Sequence, residues 1–321
     1  MTVRAMAALF AAEIGRYVRP MQIPLTHVSV PGHGAEDVLV DDDGSVLTGT
    51  EDGVIHRITK DGAATVGETG GRPLGLEFLP DGRVLVCDAQ RGLLAMGLDG
   101  SVEELVTEFE GVPLRFCNNA AVSAAGDIWF SDSSTVYGIA DWKADFVEGT
   151  RSGRLFVRRS NGAVERVLDG LHFANGVALS VDESFVAVAE TGARTVVRHW
   201  IEGPLAGTQD YLATELPGYP DNISRGSDGL IWVAIASPRD PVVQRLQNAP
   251  LMVRRAVKHI PEALQPKPKR TARVQAYDDA GVLIHDLHGD ATNFHMATGV
   301  REHNGTVWLG SLHEPAIAHM C

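Results

Sequence analysis

Four side chains in this sequence place metal-binding oxygen at one recurring point of an internal repeat: Glu36, Asn118, Asn175 and Asp221. Each stands eight residues before a turn marked by Gly44, Gly126, Glu183 or Gly229, after which a short run of β-branched or aromatic residues begins. Two further turns, at Gly82 and Gly305, put Leu74 and Ala297 at the same offset. Two carboxylates and two carboxamides converging on one axis are the set taken by a hard cation such as Ca²⁺, or by another divalent cation; Zn²⁺ would call for His or Cys. Without a cation, two carboxylates in a narrow channel repel. Singly, each residue has an ordinary reading. Asn175 before Gly176 and Asp221-Asn222 after Pro220 are turn sequences, Asn118-Asn119 is a cap, and Glu36 is a solvated acid. Their shared offset argues for a joint ligand set.

The repeat that positions them is all-β. Val46-Leu47, Val84-Leu85-Val86, Ile128-Trp129-Phe130, Phe185-Val186-Ala187-Val188, Ile231-Trp232-Val233 and Val307-Trp308-Leu309 each follow a turn carrying Gly or Glu. Such runs read as antiparallel hairpins, and no sustained 3.6-residue apolar pattern alternates with them. Six units of about blade size predict a six-bladed β-propeller over 21–321, in which rotation places equivalent residues on one ring around the channel. The last unit ends at Cys321, short of a full blade, so a strand near His27 to Val30 is expected to close the ring.

Two segments fall outside the repeat. Residues 1–20 hold the apolar run Ala5 to Ala12, too short to span a bilayer, and predict a short helix packed on the body or lying at a membrane surface. An insertion over about 240–273 carries Arg254, Arg255, Lys258, Lys267, Lys269, Arg270 and Arg273 among apolar residues, the pattern of a helical lid, a partner surface or a lipid-facing segment. Trp142 and Phe146, in the loop after the third unit's central strand, are expected to line an apolar pocket beside it.

The chain of 321 residues has a formal charge of −13, which excludes a nucleic-acid surface built on clustered Lys and Arg. Cys87, Cys117 and Cys321 are too few and too scattered for a disulfide framework. The expectation is a cytoplasmic protein acting on a small molecule, with peripheral membrane contact as the alternative.

The chain resembles the strictosidine synthase-like family, and within it the branch of the adipocyte plasma membrane-associated proteins. The matching stretches are Gly34 to Asp37, Phe116 to Asn119, Phe130 to Ser134, Glu148 to Thr150, Phe173 to Val177, Val188 to Thr191, Leu216 to Ile223 and Glu302 to Gly305. More widely it is similar to calcium-dependent six-bladed propellers, the gluconolactonases and paraoxonases. That resemblance implies a channel cation on Glu36, Asn118, Asn175 and Asp221, with Asn222 a further ligand. It also implies a proton-transfer role for Asp221. Departures are informative. Thr298 stands where strictosidine synthase carries its catalytic Glu, so amine–aldehyde condensation is not expected. Leu74 stands where paraoxonases carry a channel His, and Asn119 replaces one acid of their second, buried calcium site while Asp37 remains.

Together these readings predict a calcium-dependent hydrolase of lactones or small esters, the metal polarising the carbonyl. Asp221 is the leading base, with His33 and His295 as weaker candidates. Leu74 and Thr298 join Trp142 and Phe146 around the substrate. The alternative class is a non-catalytic propeller with a structural ion that binds a ligand or partner.

Overall fold

In the computed structural model, residues 18–257 and 268–321 are described. Most of the expected N-terminal helix lies outside them, as does part of the basic insertion. The described residues form six blade sheets and a separate two-stranded ribbon, Glu108–Phe109 with Val112–Pro113; four blades run in chain order from the channel outwards, and the other two add an N-terminal strand at their outer edge. Among them no helix is long and apolar enough to cross a membrane.

The closing strand is where the short sixth unit required it. Thr26–Ser29 pairs antiparallel with Ala316–Met320, His27 opposite Ala318 and Ser29 opposite Ala316, so both ends of the chain complete blade six. A second N-terminal pairing was not foreseen: Met21–Gln22 runs parallel to the outer strand of blade five, making that sheet five-stranded.

Between blades, the faces pack by interdigitating apolar side chains. Leu85, Cys87 and Leu93 of blade two meet Phe130 and Phe156 of blade three in one cluster. Phe130 and Phe156 stack at 5.2 Å, both fully buried. Truncating one such ring to Ala costs about 3–5 kcal/mol. This packing is what fixes the blades, and hence the channel side chains, relative to one another.

The repeated turns work through an acid and a left-handed residue. Asp81 Oδ1 accepts from Arg83 N (3.1 Å) and Asp228 Oδ1 from Leu230 N (2.9 Å), while Gly82 and Gly229 take φ of 84° and 79°. Glu183 does the same work at φ 56°.

Two loops rise over one mouth of the channel. In blade three, α1 (Trp142–Glu148) sits between the second and third strands. In blade five, the same connection holds α2 (Pro241–Gln247) and α3 (Leu251–Val257). Asp240 caps α2, its Oδ1 accepting from Val242 N at 2.7 Å. The two loops are joined: Gln247 Nε2 donates to Phe146 O (3.0 Å), Arg255 Nε to Glu148 Oε1 (2.8 Å), and Arg254 to Glu148 O.

Candidate metal centre and its cavity

Five of the six innermost strands, those of blades two to six, break register at the same place. In blade three Cys117 faces Asp132 and Ala120 faces Phe130, leaving Asn118 and Asn119 opposite Ser131 alone. The same two-against-one bulge holds Leu74-Gly75, Asn175-Gly176, Asp221-Asn222 and Thr298-Gly299. A bulge re-aims side chains out of the sheet, here towards the axis. Small residues are needed where bulges meet: a Cβ on Gly176 would lie 2.0 Å from Ile223 N.

The first bulge residues, with Glu36 from blade one, all line a cavity of about 380 Å³ under the lid. The ring is therefore Glu36, Leu74, Asn118, Asn175, Asp221 and Thr298. Ala297, which the eight-residue offset selects, is instead a fully buried core residue opposite Ser311. The reason lies in the turn. In blade six Asn304-Gly305 alone joins His303 to Thr306, whereas in blade three Ser123 to Asp127 join Val122 to Ile128, so the count there runs one residue short.

The two asparagines are held in one orientation. Ser133 Oγ donates to Ala174 O (2.7 Å), so it receives the Nδ2 of Asn118 (2.9 Å). Asn175 Nδ2 donates to Thr191 Oγ1 (3.2 Å). Both Oδ1 atoms are buried without a partner among the described residues. Asn222 turns its Nδ2 to Glu36, 3.3 and 3.2 Å from the two carboxylate oxygens, and its Oδ1 is also unpartnered. The acids are unsettled too. Burial pushes the Glu36 carboxyl well above its usual range, and the charges of Asp221 and Asp37 add to the rise. Burial raises Asp221 to about 7, with Asn175 at its side pulling the other way. Three buried amide oxygens without a partner among the described residues, beside two carboxylates whose charge burial disfavours, make a donor set that fits a hard divalent ion.

Scaffolding explains other stretches through which the sequence resembles its family. At the end of the second strand, Asp132 Oδ1 accepts from Phe116 N (2.7 Å) and its Oδ2 binds Arg154 Nη2 (2.6 Å), clamping the chain just before Asn118. Glu190 Oε1 accepts from His172 N (2.8 Å), ahead of Asn175. Asp88 Oδ1 accepts from Arg72 N (3.0 Å), ahead of Leu74. The residue after each acid is Ser133, Thr191 and Ala89. A hydroxyl stands behind each asparagine, and none behind Leu74.

The rest of the cavity wall is apolar: Phe116, Ile139, Trp142, Phe146 and Phe173 line it with Leu74. Phe146 meets Tyr219 edge-on at 4.8 Å. The two histidines lie elsewhere. His295 Nδ1 pairs with Glu314, its Nε2 is 3.4 Å from Arg270 Nη1, and it is not on the cavity wall. His33 is an exposed residue of the entry loop, also off the wall. Asp221 is thus the ring residue left with some exposure and an ionisable group.

Comparison with known proteins agrees with this architecture. The strictosidine synthase family model matches residues 118–204, and the model for the strictosidine synthase-like N-terminal region matches 24–58. Strictosidine synthase-like 10 of Arabidopsis thaliana is 37% identical over 260 residues, 76% of this chain and 68% of that protein. The chain belongs to the strictosidine synthase-like family. Another relative of this strictosidine synthase-like chain, the adipocyte plasma membrane-associated protein of Rattus norvegicus, is 31% identical over 86% of this chain and 81% of its own. Among solved structures, a gluconolactonase of Xanthomonas campestris superposes with a TM-score of 0.67 at 15% identity, covering 92% of this chain and 88% of that one. The calcium-binding regucalcin of Agrobacterium tumefaciens gives 0.65 at 13% identity, covering 94% and 95%. At such identities these structures show the shared six-bladed fold.

Proposed function

We propose that this protein is a divalent-cation-dependent hydrolase of lactones or small esters, with calcium the ion favoured by its all-oxygen donors. The observation that carries the reading is the set of inward amide oxygens of Asn118 and Asn175, buried and unpartnered beside the carboxylates of Glu36 and Asp221. Those four side chains would hold the ion. When bound, it supplies a positive charge that polarises a carbonyl and stabilises the oxyanion of ester cleavage.

The chain's own groups do the rest. Asp221 presents its carboxyl to the cavity, takes a proton from the water that attacks the acyl carbon, and returns it to the alkoxide oxygen released as the acyl C–O bond breaks; a cation on the same carboxylate would lower its pKa from the raised value. Leu74, Phe116, Trp142, Phe146 and Phe173 exclude water and seat the apolar part of the substrate. Thr298 donates its hydroxyl to Glu36 O (2.8 Å), fixing the ring rather than offering a charge. That leaves no carboxylate at the position which strictosidine synthase uses for condensation. The likeness in fold to a gluconolactonase and to a calcium-binding protein supports the same class.

A panel of lactones and aryl esters, assayed with calcium and then with chelator, tests the proposal. Calcium-dependent turnover that Asp221→Asn removes is the expected outcome. Bound calcium without turnover of any of them would transfer the protein to the ligand-binding class. The outer side of the lid, where Leu251, Met252 and Val253 are exposed near Arg255, supports peripheral membrane contact. Co-sedimentation with anionic vesicles checks it, and no binding at low salt would contradict it.

A further inference from the structure

The second residue of each of the five bulges, with Asp37 after Glu36 in blade one, forms another tier beside the ring: Asp37, Gly75, Asn119, Gly176, Asn222 and Gly299. By residue type alone, Asp37, Asn119 and Asn222 offer a cation much the same oxygen chemistry as the ring does. Their hydrogen bonds differ. Asp37 Oδ2 accepts from Leu76 N of blade two (3.0 Å) and Asn119 Oδ1 from Val177 N of blade four (2.8 Å). These two side chains join neighbouring blades. Among the described residues the ring's asparagine oxygens have no partner; here the oxygen of Asn119 and one oxygen of Asp37 are in use, and that of Asn222, whose Nδ2 faces Glu36, is without a partner.

A positive charge already stands at this level. Arg301, on the inner strand of blade six, donates its Nη2 to Leu76 O (3.3 Å). The N–H and C=O of one strand residue project to the same edge, so Asp37 and Arg301 meet the channel-side edge of Leu76 together. Burial acts first on both groups; after it Arg301 is the largest charge that Asp37 feels, while Arg301 feels Glu77 before Asp37. Arg301 Nη1 also reaches Glu77 Oε2 at 3.1 Å, and its Nε is buried without a protein partner among the described residues. From there the guanidinium borders a second cavity, of about 360 Å³, walled by later residues of the inner strands.

We propose that Arg301 is the built-in counter-charge of this tier, standing in place of a second cation, so that the propeller holds a single divalent ion. The claim rests on the ring as a cation site, and its test separates the two. A carboxylate and a guanidinium buried on the backbone edge of one residue, Leu76, offset the cost of burying each other's charge. A bound ion answers Glu36 and Asp221, and Arg301 answers Asp37.

Calorimetric titration of the chelator-treated full chain with calcium should give one equivalent. Two equivalents would overturn the proposal. No binding would instead sink the ring reading, and the Arg301 claim would then be decided by a second measurement that needs no metal. Thermal melts in chelator compare Arg301→Met, Asp37→Asn and the double variant. Arg301→Met alone should lose several degrees of Tm, on the order of 5 °C. Arg301→Met leaves both Asp37 and Glu77 without it; removing the Asp37 charge in the double variant should recover a clear part of the loss, and folding of the double where Arg301→Met does not fold counts as recovery. A double variant no more stable than Arg301→Met would overturn the proposal.

Discussion

Ser133 fixes which way Asn118 faces: its hydroxyl hydrogen is given to Ala174 O, so it takes the Asn118 amide nitrogen and leaves the amide oxygen for the channel. Ser133→Ala should free that amide to rotate. Outer hydrogen bonds of this kind are worth about 10–100-fold in metal affinity. Calcium affinity measured by calorimetry should fall by at least the lower end of that range with the melting temperature in chelator little changed. An unchanged affinity would show that Asn118 needs no orienting.

A ligand that binds only the folded chain stabilises it by about 2.7 kcal/mol at 100 times its Kd. The wild type should therefore melt several degrees higher in excess calcium than in chelator, and Glu36→Gln should lose most of that gap. Equal melting temperatures in calcium and chelator would mean that the ring holds no calcium.

His172 supplies a pH dependence. Burial, with the charges of Arg151 and Arg254, lowers its imidazole from the ordinary 6.5 to about 4. The folded value lies below the unfolded one, so the stabilising contribution of the neutral ring is complete above about pH 6.5 and is lost as pH falls towards 4. A gap of that size corresponds to roughly 3 kcal/mol. Denaturant unfolding of the wild type should weaken over this window by about that much more than unfolding of His172→Gln. Parallel curves for the two would contradict the assignment.

The strand pattern and its Gly-containing turns carried most of the fold, because each hairpin is a local event whose acid and left-handed residue are visible in sequence. The closing strand was legible for a different reason: a propeller with an incomplete last blade must borrow one. Five of the six ring positions followed from the offset. The sixth did not, since the two-residue turn at Asn304-Gly305 shortens the count and makes Thr298, not Ala297, the channel residue. The amide orienters were also within reach. An acid followed by a hydroxyl closes the second strand as Asp132-Ser133 and Glu190-Thr191, while Asp88-Ala89 accompanies the apolar Leu74. What could not be read was the neighbourhood of His295, because its partner Glu314 comes from the loop between the second and third strands of blade six.

The most direct test of the central claim is the calcium dependence of hydrolysis by wild type and Asp221→Asn, with bound calcium measured on the same samples. The account predicts turnover of a lactone or aryl ester that chelator abolishes and calcium restores, and at least a 100-fold loss, about the scale of general-base catalysis, in Asp221→Asn. Full turnover in chelator, or in Asp221→Asn with calcium still bound, would contradict it.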